Sequence, residues 1–216
     1  MGALMDSQGT QRKVLPVRPM PAPGSPTLPP AAATMIKLRQ LRSSLSRLRL
    51  CVALLLAAIG VSAAGQPVRV AFVDTGNTGR SVAAEALARN LIAATGAPVS
   101  VISRAVNLNP YNTEPEPNFV TLLGQRGVTV AEHTAVQLTQ RDVSFSDLIL
   151  TMTRAHKARV LTNFPDSAGK VFTLAEYATG TDQDIADALG QPIEFYQTVL
   201  DQLQPLVNAA ITKATA

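Results

Sequence analysis

The stretch VAFVDTGNTGRSVAAEAL, residues 70–87, decides the fold of this chain. It begins within a short, β-branched and mostly apolar run, residues 68–73, which is typical of a buried strand. An apolar segment, residues 81–94, follows the octapeptide DTGNTGRS and predicts a helix. A strand, a tight loop and a helix in this order start a βαβ unit, and parallel sheets bind ligands beyond the carboxyl ends of their strands. The octapeptide is therefore the first candidate for a binding site.

The octapeptide has the composition of an oxyanion-binding loop. Gly76 and Gly79 allow the backbone to approach a ligand closely, and Asn77 tolerates the left-handed conformation that a tight curve needs. The N–H groups of such a loop point inward, at the positive end of the following helix. Arg80 adds a guanidinium that can hold a tetrahedral anion through two hydrogen bonds. The predicted phosphate-binding residues are Thr75, Gly76, Asn77, Thr78, Gly79, Arg80 and Ser81. A simple turn is the alternative interpretation of the same residues.

Strand and helix patterns alternate along the rest of the chain. Further strands are predicted at residues 99–103, 148–152 and 170–174, and further helices at residues 117–127, 153–161 and 193–211. Such alternation indicates parallel strands with helices on both faces of the sheet. We therefore predict an α/β fold of three layers, α/β/α, around a four-stranded parallel sheet.

The segment that contains the octapeptide resembles the active-site signature of the low-molecular-weight protein tyrosine phosphatases and their arsenate-reductase relatives. That signature runs Cys, any residue, Gly, Asn, any residue, Cys, Arg, Ser, with Ala-Glu a few residues later. The matching positions are Gly76, Asn77, Arg80, Ser81, Ala84 and Glu85. The resemblance extends over almost all of residues 68–213. It implies the fold of these phosphatases, the hydrolysis of phosphomonoesters such as phosphotyrosine, and no cofactor.

Three later segments carry the same resemblance. Residues 131–139 (AEHTAVQLT) resemble the family's histidine-containing segment, so His133 is expected to support the loop asparagine from behind; a surface histidine is the alternative. Residues 184–203 resemble the segment with the general-acid aspartate, which places Asp187 in that role. Residues 147–160 resemble the third strand and its helix, where we expect His156 at the surface.

The sequence departs from the family pattern at the reacting atom. Asp74 stands where the family has its nucleophilic cysteine, and Gly79 replaces the second cysteine of the signature. Ala188 and Leu189 replace the proline and the aromatic residue that usually follow the general acid. The thiol mechanism is therefore lost, while the candidate catalytic residues become Asp74, Arg80 and Asp187. Loop amides and Arg80 favour an ionised Asp74, and one expectation is that its carboxylate occupies the loop itself, paired with Arg80.

Three functions are compatible with these residues. The first is an exported phosphatase that uses Asp74 as nucleophile or base and Asp187 as acid. The second is a non-catalytic pseudophosphatase that binds phosphate or a phosphorylated or acidic partner. The third is a Mg²⁺ or Ca²⁺ site, in which Asp74 and Asp187 face each other together with Asp184. The first two functions share a phosphorylated molecule or another oxyanion as the partner.

Residues 1–64 have the pattern of a leader. Seven prolines between residues 16 and 30 predict a disordered extension over residues 1–34, and Met35 is the expected start of translation. Residues 35–64 combine five basic residues, the apolar run LCVALLLAA and small residues at Ser62 and Ala64, which indicates a cleaved signal peptide. An uncleaved membrane anchor is the alternative, although the apolar run is shorter than the roughly 20 residues that span a bilayer. We expect a periplasmic or secreted domain at residues 65–216.

The basic sequence pI of about 9.6 belongs to the leader and not to the expected domain. Residues 65–216 carry eleven basic and fourteen acidic residues, without the basic cluster that nucleic-acid binding requires. The single cysteine, Cys51, lies in the expected signal peptide, so the exported domain would have no thiol for a disulfide, a nucleophile or a metal. Two histidines without cysteine also disfavour zinc, and we predict neither a metal nor a nucleic-acid partner.

Overall fold

A computed structural model gives the structure of the chain and describes residues 65–216. The strands are β1 (Val68–Asp74), β2 (Val99–Ala105), β3 (Leu148–Thr151) and β4 (Val171–Thr173). The α-helices are α1 (Arg80–Thr95), α2 (Pro117–Gln125), α3 (Gln140–Phe145), α4 (Arg154–Asn163), α5 (Leu174–Thr179) and α6 (Ile193–Ala214), and a 3₁₀ helix spans Pro165–Lys170. The extension and the signal peptide predicted for residues 1–64 lie outside the described residues.

The four strands form one parallel sheet in the order β2-β1-β3-β4. β1 pairs with β2 along its whole length and with β3 on its other side. The chain therefore extends the sheet first to one side of β1 and then to the other. The direction reverses at β1, and parallel sheets bind ligands at the carboxyl end of the strands where the order reverses. This topology places the octapeptide at the switch point of the sheet.

Helices cover both faces of the sheet, and the side chains of β1 alternate between the two layers. Val70 and Phe72 pack in the core that contains α1, α2, α5 and α6, whereas Ala71 and Val73 pack in the core that contains α3 and α4. All four side chains are at most 1% exposed. A strand segment that is buried on both faces has to be apolar, as residues 70–73 are. The predicted three-layer α/β/α fold with a four-stranded parallel sheet is confirmed.

Two short helices, α3 and α5, are absent from the sequence prediction. Each has six residues, too few to show a helical period, and each begins with a capping box: Thr139 with Asp142, and Thr173 with Glu176. A capping box satisfies N–H groups that the first turn leaves unpaired, which stabilises a helix start. The strand predicted at residues 170–174 is correspondingly shorter, because Leu174 already belongs to α5.

Helix α6 closes the layer that contains α1. It has 22 residues and buries one face, including Leu200, Leu203, Val207 and Ile211, in the larger core. Across the described part of the chain, no helix combines the length and the hydropathy that crossing a membrane requires.

Leu203→Ala tests the assignment of the core. Leu203 is fully buried, so its truncation leaves a cavity, and we expect the free energy of unfolding to fall by about 2–5 kcal/mol. Urea denaturation followed by circular dichroism measures the change. Leu189→Ala is the matched control, since Leu189 is 58% exposed and its truncation should cost about 0.5 kcal/mol or less. Equal losses in the two variants would contradict the assigned core.

Candidate functional site

The loop of residues 74–81 is fastened to the strand ends on both sides of β1. The backbone oxygen of Asp74 accepts a hydrogen bond from Val106 N at 2.9 Å, and that of Thr75 accepts one from Asn107 N at 2.9 Å. The N–H group of Met152, just after β3, donates to the backbone oxygen of the residue before Asp74 at 3.0 Å. At the other end of the loop, Gly79 is the N-cap residue of α1. The loop therefore lies where the sequence predicted it, at the positive end of a helix.

Asn77 maintains the curvature of the loop. Its φ of +59° is the only positive φ of a non-glycine residue between residues 65 and 216, and the residue is fully buried. Its Oδ1 accepts a hydrogen bond from Val136 N at 3.0 Å, and its Nδ2 donates to Ser81 Oγ at 3.1 Å. His133 Nε2 lies 2.8 Å from the backbone oxygen of Asn77. The histidine thus contacts the backbone of the loop asparagine.

The carboxylate of Asp74 closes the loop. The residue is 3% exposed. Its Oδ1 accepts a hydrogen bond from the N–H group of Asn77 at 2.6 Å, and its Oδ2 accepts one from the N–H group of Ser81 at 2.9 Å. Hydrogen bonds from backbone amides to a carboxylate are charge-assisted and hold the group in one orientation. The Asp74 side chain therefore occupies the loop and takes up two of its amides.

Arg80 does not pair with Asp74, and that part of the expectation is wrong. The arginine is 5% exposed; its Nη2 donates to Asp187 Oδ2 at 2.7 Å and its Nη1 donates to the backbone oxygen of Ile185 at 2.8 Å. The reason is that Arg80 begins α1 and its side chain extends to the segment before α6. Asp187 also accepts a hydrogen bond from Leu189 N at 3.2 Å. The loop arginine and the candidate general acid are therefore joined as an ion pair.

A cavity of about 240 Å³ opens over the loop. Opposite the loop it is lined by Asn107, Asn109, Asn112, Glu116, Asp187 and Leu189. Gly76, Thr78 and Gly79 also line the cavity. Within the described residues, their N–H groups donate to no acceptor of the chain. Unpaired amides at a helix start attract anions. The cavity therefore retains donors for a small oxyanion although Asp74 takes up two others.

Glu116 is a residue of this site that the sequence analysis missed. It is 8% exposed, and a Cβ atom added at Gly79 would overlap its Oε1. The Glu116 side chain thus fills the space beside Gly79. Burial raises the pKa of the Glu116 carboxyl; a hydrogen bond from Tyr196 opposes this shift, and the charges of Asp187 and Asp74 add to it. The two prolines that flank Glu116 in the stretch EPEP, residues 114–117, were the sequence signal that could have pointed to this residue.

His156 is buried, so the expectation of a surface histidine is wrong. It is 8% exposed, and its Nε2 lies 2.8 Å from Thr75 Oγ1. Burial lowers the pKa of the imidazole, and the nearby charge of Arg80 lowers it further. His156 is buried because Thr153 starts α4 in front of the loop, so that the first turn of this helix faces Thr75 instead of solvent. His156 therefore supports the loop from the β3 side.

The three aspartates of the metal hypothesis are engaged separately. Asp74 binds loop amides and Asp187 binds Arg80, as described above. Asp184 accepts hydrogen bonds from the backbone N–H of Arg154 at 2.8 Å and from its Nε at 3.2 Å. No group of three or more His, Cys, Asp or Glu side chains able to hold a metal ion exists in the described part of the chain. These contacts give the metal hypothesis no support.

The family to which this site belongs is shown by comparison with known proteins. The sequence model of the low molecular weight phosphotyrosine protein phosphatases matches residues 69–214. The chain therefore belongs to this family, as the resemblance of the octapeptide predicted.

Relatives within the family include phosphatases of two kinds. A protein-arginine-phosphatase of Geobacillus stearothermophilus is 34% identical over 147 residues, which cover 68% of this chain and 96% of the relative. A probable low molecular weight protein-tyrosine-phosphatase, EpsP of Ralstonia nicotianae, is 34% identical over 145 residues, 67% of this chain and 94% of the relative.

Solved structures of a related phosphatase share the fold. A YwlE mutant from Bacillus subtilis superposes with a TM-score of 0.64 at 34% identity, covering 67% of this chain and 97% of that chain. A YwlE arginine phosphatase mutant with a phosphorylated active-site serine gives a TM-score of 0.64 at 34% identity, covering 67% of this chain and 94% of that chain.

A pair of variants at Asn77 separates backbone strain from lost hydrogen bonds. Asn77→Gly keeps the positive φ but loses both side-chain hydrogen bonds, and we expect the free energy of unfolding to fall by about 1–3 kcal/mol. Asn77→Ala adds the strain of a Cβ atom in the left-handed region, about 1–2 kcal/mol more. Thermal and urea denaturation measure both variants. An alanine variant that is as stable as the glycine variant would contradict the φ assigned to residue 77.

Proposed function

We propose that this protein is a pseudophosphatase, a member of its family that recognises phosphorylated groups without thiol catalysis. The observation that carries this proposal is that loop amides engage the carboxylate of Asp74, the residue that the resemblance aligns with the nucleophile. Both of its oxygens accept hydrogen bonds from loop amides, those of Asn77 and Ser81. A carboxylate held in this way acts as a hydrogen-bond acceptor for the loop instead of as a free nucleophile.

The electrostatics of the cavity favour weak and reversible binding of a phosphoryl group. An ionised carboxylate about 4 Å from a phosphate opposes it by roughly 4 kcal/mol per unit charge at an effective dielectric constant near 20. The free N–H groups of Gly76, Thr78 and Gly79 and the guanidinium of Arg80 act in the opposite sense. The ion pair with Asp187 already neutralises part of the Arg80 charge. We therefore expect an affinity well below that of the same loop without Asp74.

A phosphorylated protein side chain is the partner class that fits the surroundings of the cavity. Tyr111, between two asparagines of the cavity lining, is 96% exposed, and Leu189 at its edge is 58% exposed. Exposed apolar side chains beside a polar pocket are typical of protein recognition sites. The names of the relatives, protein-arginine-phosphatase and protein-tyrosine-phosphatase, favour phosphorylated arginine or tyrosine as this side chain.

Hydrolysis with Asp74 as nucleophile is the second candidate function. It is favoured by the YwlE mutant with a phosphorylated active-site serine, because an oxygen atom of that protein's site carries a phosphoryl group. In the corresponding step, an Asp74 oxygen would bond to phosphorus, the bond to the leaving oxygen or nitrogen would break, and an acid would protonate the leaving atom. Water would then release phosphate from the acyl phosphate.

An assay of the purified protein with an aryl phosphate decides between the two functions. The pseudophosphatase proposal predicts no turnover above background for the wild type, with or without Mg²⁺. Turnover by the wild type that is lost in Asp74→Ala would replace the proposal with the hydrolytic function.

Asp74→Ser tests the effect of the carboxylate on binding. The serine removes the negative charge and frees the two loop amides, so we expect phosphate to bind at least about tenfold and up to about a thousandfold more tightly. Isothermal titration calorimetry with inorganic phosphate measures the affinity. Asp147→Ser is the control with the same change of charge, since Asp147 pairs with Arg69 at the opposite, amino-terminal end of β3. An unchanged affinity in Asp74→Ser would contradict the proposal.

We also propose that the domain is exported, on the strength of the signal-peptide pattern at residues 35–64. The expected mature chain begins at Gly65, after the small residues Ser62 and Ala64. Mass spectrometry of the protein from the periplasmic fraction or the medium measures its first residue. Recovery of the protein only in the cytosol, with residues 35–64 intact, would contradict export.

A further inference from the structure

Glu116 combines burial with an oxygen atom that has no partner. It is 8% exposed, and within the described residues its Oε2 makes no hydrogen bond. The same carboxyl lines the cavity over the loop, together with Asp74, Arg80 and Asp187. Buried polar atoms in folded proteins are almost always paired, so an unpaired oxygen in a residue that lines the cavity indicates a carboxyl that is completed by a proton or by a ligand.

The backbone of Glu116 directs this side chain toward the cavity. Glu116 is the N-cap residue of α2, yet its side chain makes no capping hydrogen bond. Its N–H group donates instead to the backbone oxygen of Thr78 at 2.8 Å, which ties the residue to the loop. Pro115 and Pro117 on either side restrict the chain further. A glutamate held against the loop and unused as a cap is placed to act on whatever the loop binds.

Gly79 leaves the space that the Glu116 carboxyl occupies. A Cβ atom at position 79 would overlap Oε1 of Glu116 and would lie 3.3 Å from Phe119 Cε2. A side chain at position 79 would therefore displace the carboxyl from its present site. The glycine at this position, where the family has a cysteine, gives the Glu116 carboxyl its place beside the loop amides.

The surroundings of Glu116, taken together, favour its neutral form. Asp74 from the end of β1 and Asp187 from the segment before α6 are acids, and the Arg80 guanidinium at the start of α1 is already bound to Asp187 and to a backbone oxygen. Burial raises the pKa of the carboxyl most, and the two neighbouring acids raise it further. The Tyr196 hydroxyl of α6 and the charge of Arg80 lower this pKa, and the net shift is upward. An ionised carboxylate with an unpaired oxygen in these surroundings would be costly, whereas a carboxylic acid has an O–H to donate.

We propose that Glu116 is a ligand-contacting residue of this site, and that its protonated carboxyl donates a hydrogen bond to an oxygen of the bound phosphoryl group. The inference rests on the proposed function, because it names a further residue for the same oxyanion. Protonation of Glu116 then becomes part of anion binding. The loop amides and Arg80 bind the anion whether or not Glu116 is protonated, whereas Glu116 donates to it only while protonated. Deprotonation turns the same group into a third anion of the cavity.

Binding of inorganic sulfate tests this role, because sulfate itself does not titrate between about pH 5 and about pH 9. Glu116→Gln keeps the shape and a hydrogen-bond donor but does not titrate. Over this range we expect the affinity of the wild type to fall with rising pH by up to about tenfold per pH unit more than that of Glu116→Gln, because one proton fewer is linked to binding in the variant. Glu114→Gln, an exposed glutamate two residues away, is the control and should follow the wild type.

The outcomes of the sulfate experiment separate the role of Glu116 from the proposed function on which it rests. Identical pH profiles in the wild type and Glu116→Gln would overturn the role of Glu116 and leave the oxyanion site standing. Failure of sulfate to bind the wild type and Asp74→Ser at any pH would overturn both.

Infrared spectroscopy of the folded wild type gives a second readout that does not depend on the variant's stability. The carbonyl stretch of a protonated carboxylic acid should persist to a higher pH when sulfate is bound than when sulfate is absent. A carbonyl band that disappears at the same pH with and without sulfate would contradict the proposed protonation.

Discussion

Two hydrogen bonds, from the N–H groups of Asn77 and Ser81 to the carboxylate of Asp74, are the interaction on which the site depends. They join the first residue of the loop to its middle and to its end. The loop is therefore closed without a ligand, and the left-handed turn at Asn77 stays in place. The same closure fixes the first turn of α1, so that Arg80 reaches Asp187 instead of the centre of the loop.

The site contains two carboxyl groups in unlike surroundings, those of Asp74 and Glu116. Both oxygens of Asp74 accept hydrogen bonds from loop amides. Glu116 lies in the space beside Gly79, has an unpaired oxygen and carries a raised pKa because it is buried. The raised pKa favours Glu116 as a proton donor, whereas both oxygens of Asp74 act as hydrogen-bond acceptors for the loop.

The sequence was sufficient for the features that depend on neighbouring residues. The octapeptide, the order of strands and helices and the place of Asn77 follow from local patterns and from the resemblance to the family. The partners of Arg80 and of Thr75 do not, because Asp187 is 107 residues from Arg80 and His156 is 81 residues from Thr75. Only the packing of α4 and of the segment before α6 against the loop determines these contacts. Glu116 was missed for the same reason, since its burial depends on the approach of α2 and α6 to Gly79.

The central claim is that the site has kept the groups that hold an oxyanion and has lost only the nucleophile. Asp74→Cys tests it most directly, in an assay of aryl phosphate hydrolysis with Asp74→Ser as the non-nucleophilic control. The account predicts that hydrolysis appears in the cysteine variant alone and is abolished by alkylation of the thiol. A cysteine variant that stays as inactive as the serine variant, or a wild type that is already as active as the cysteine variant, would contradict it.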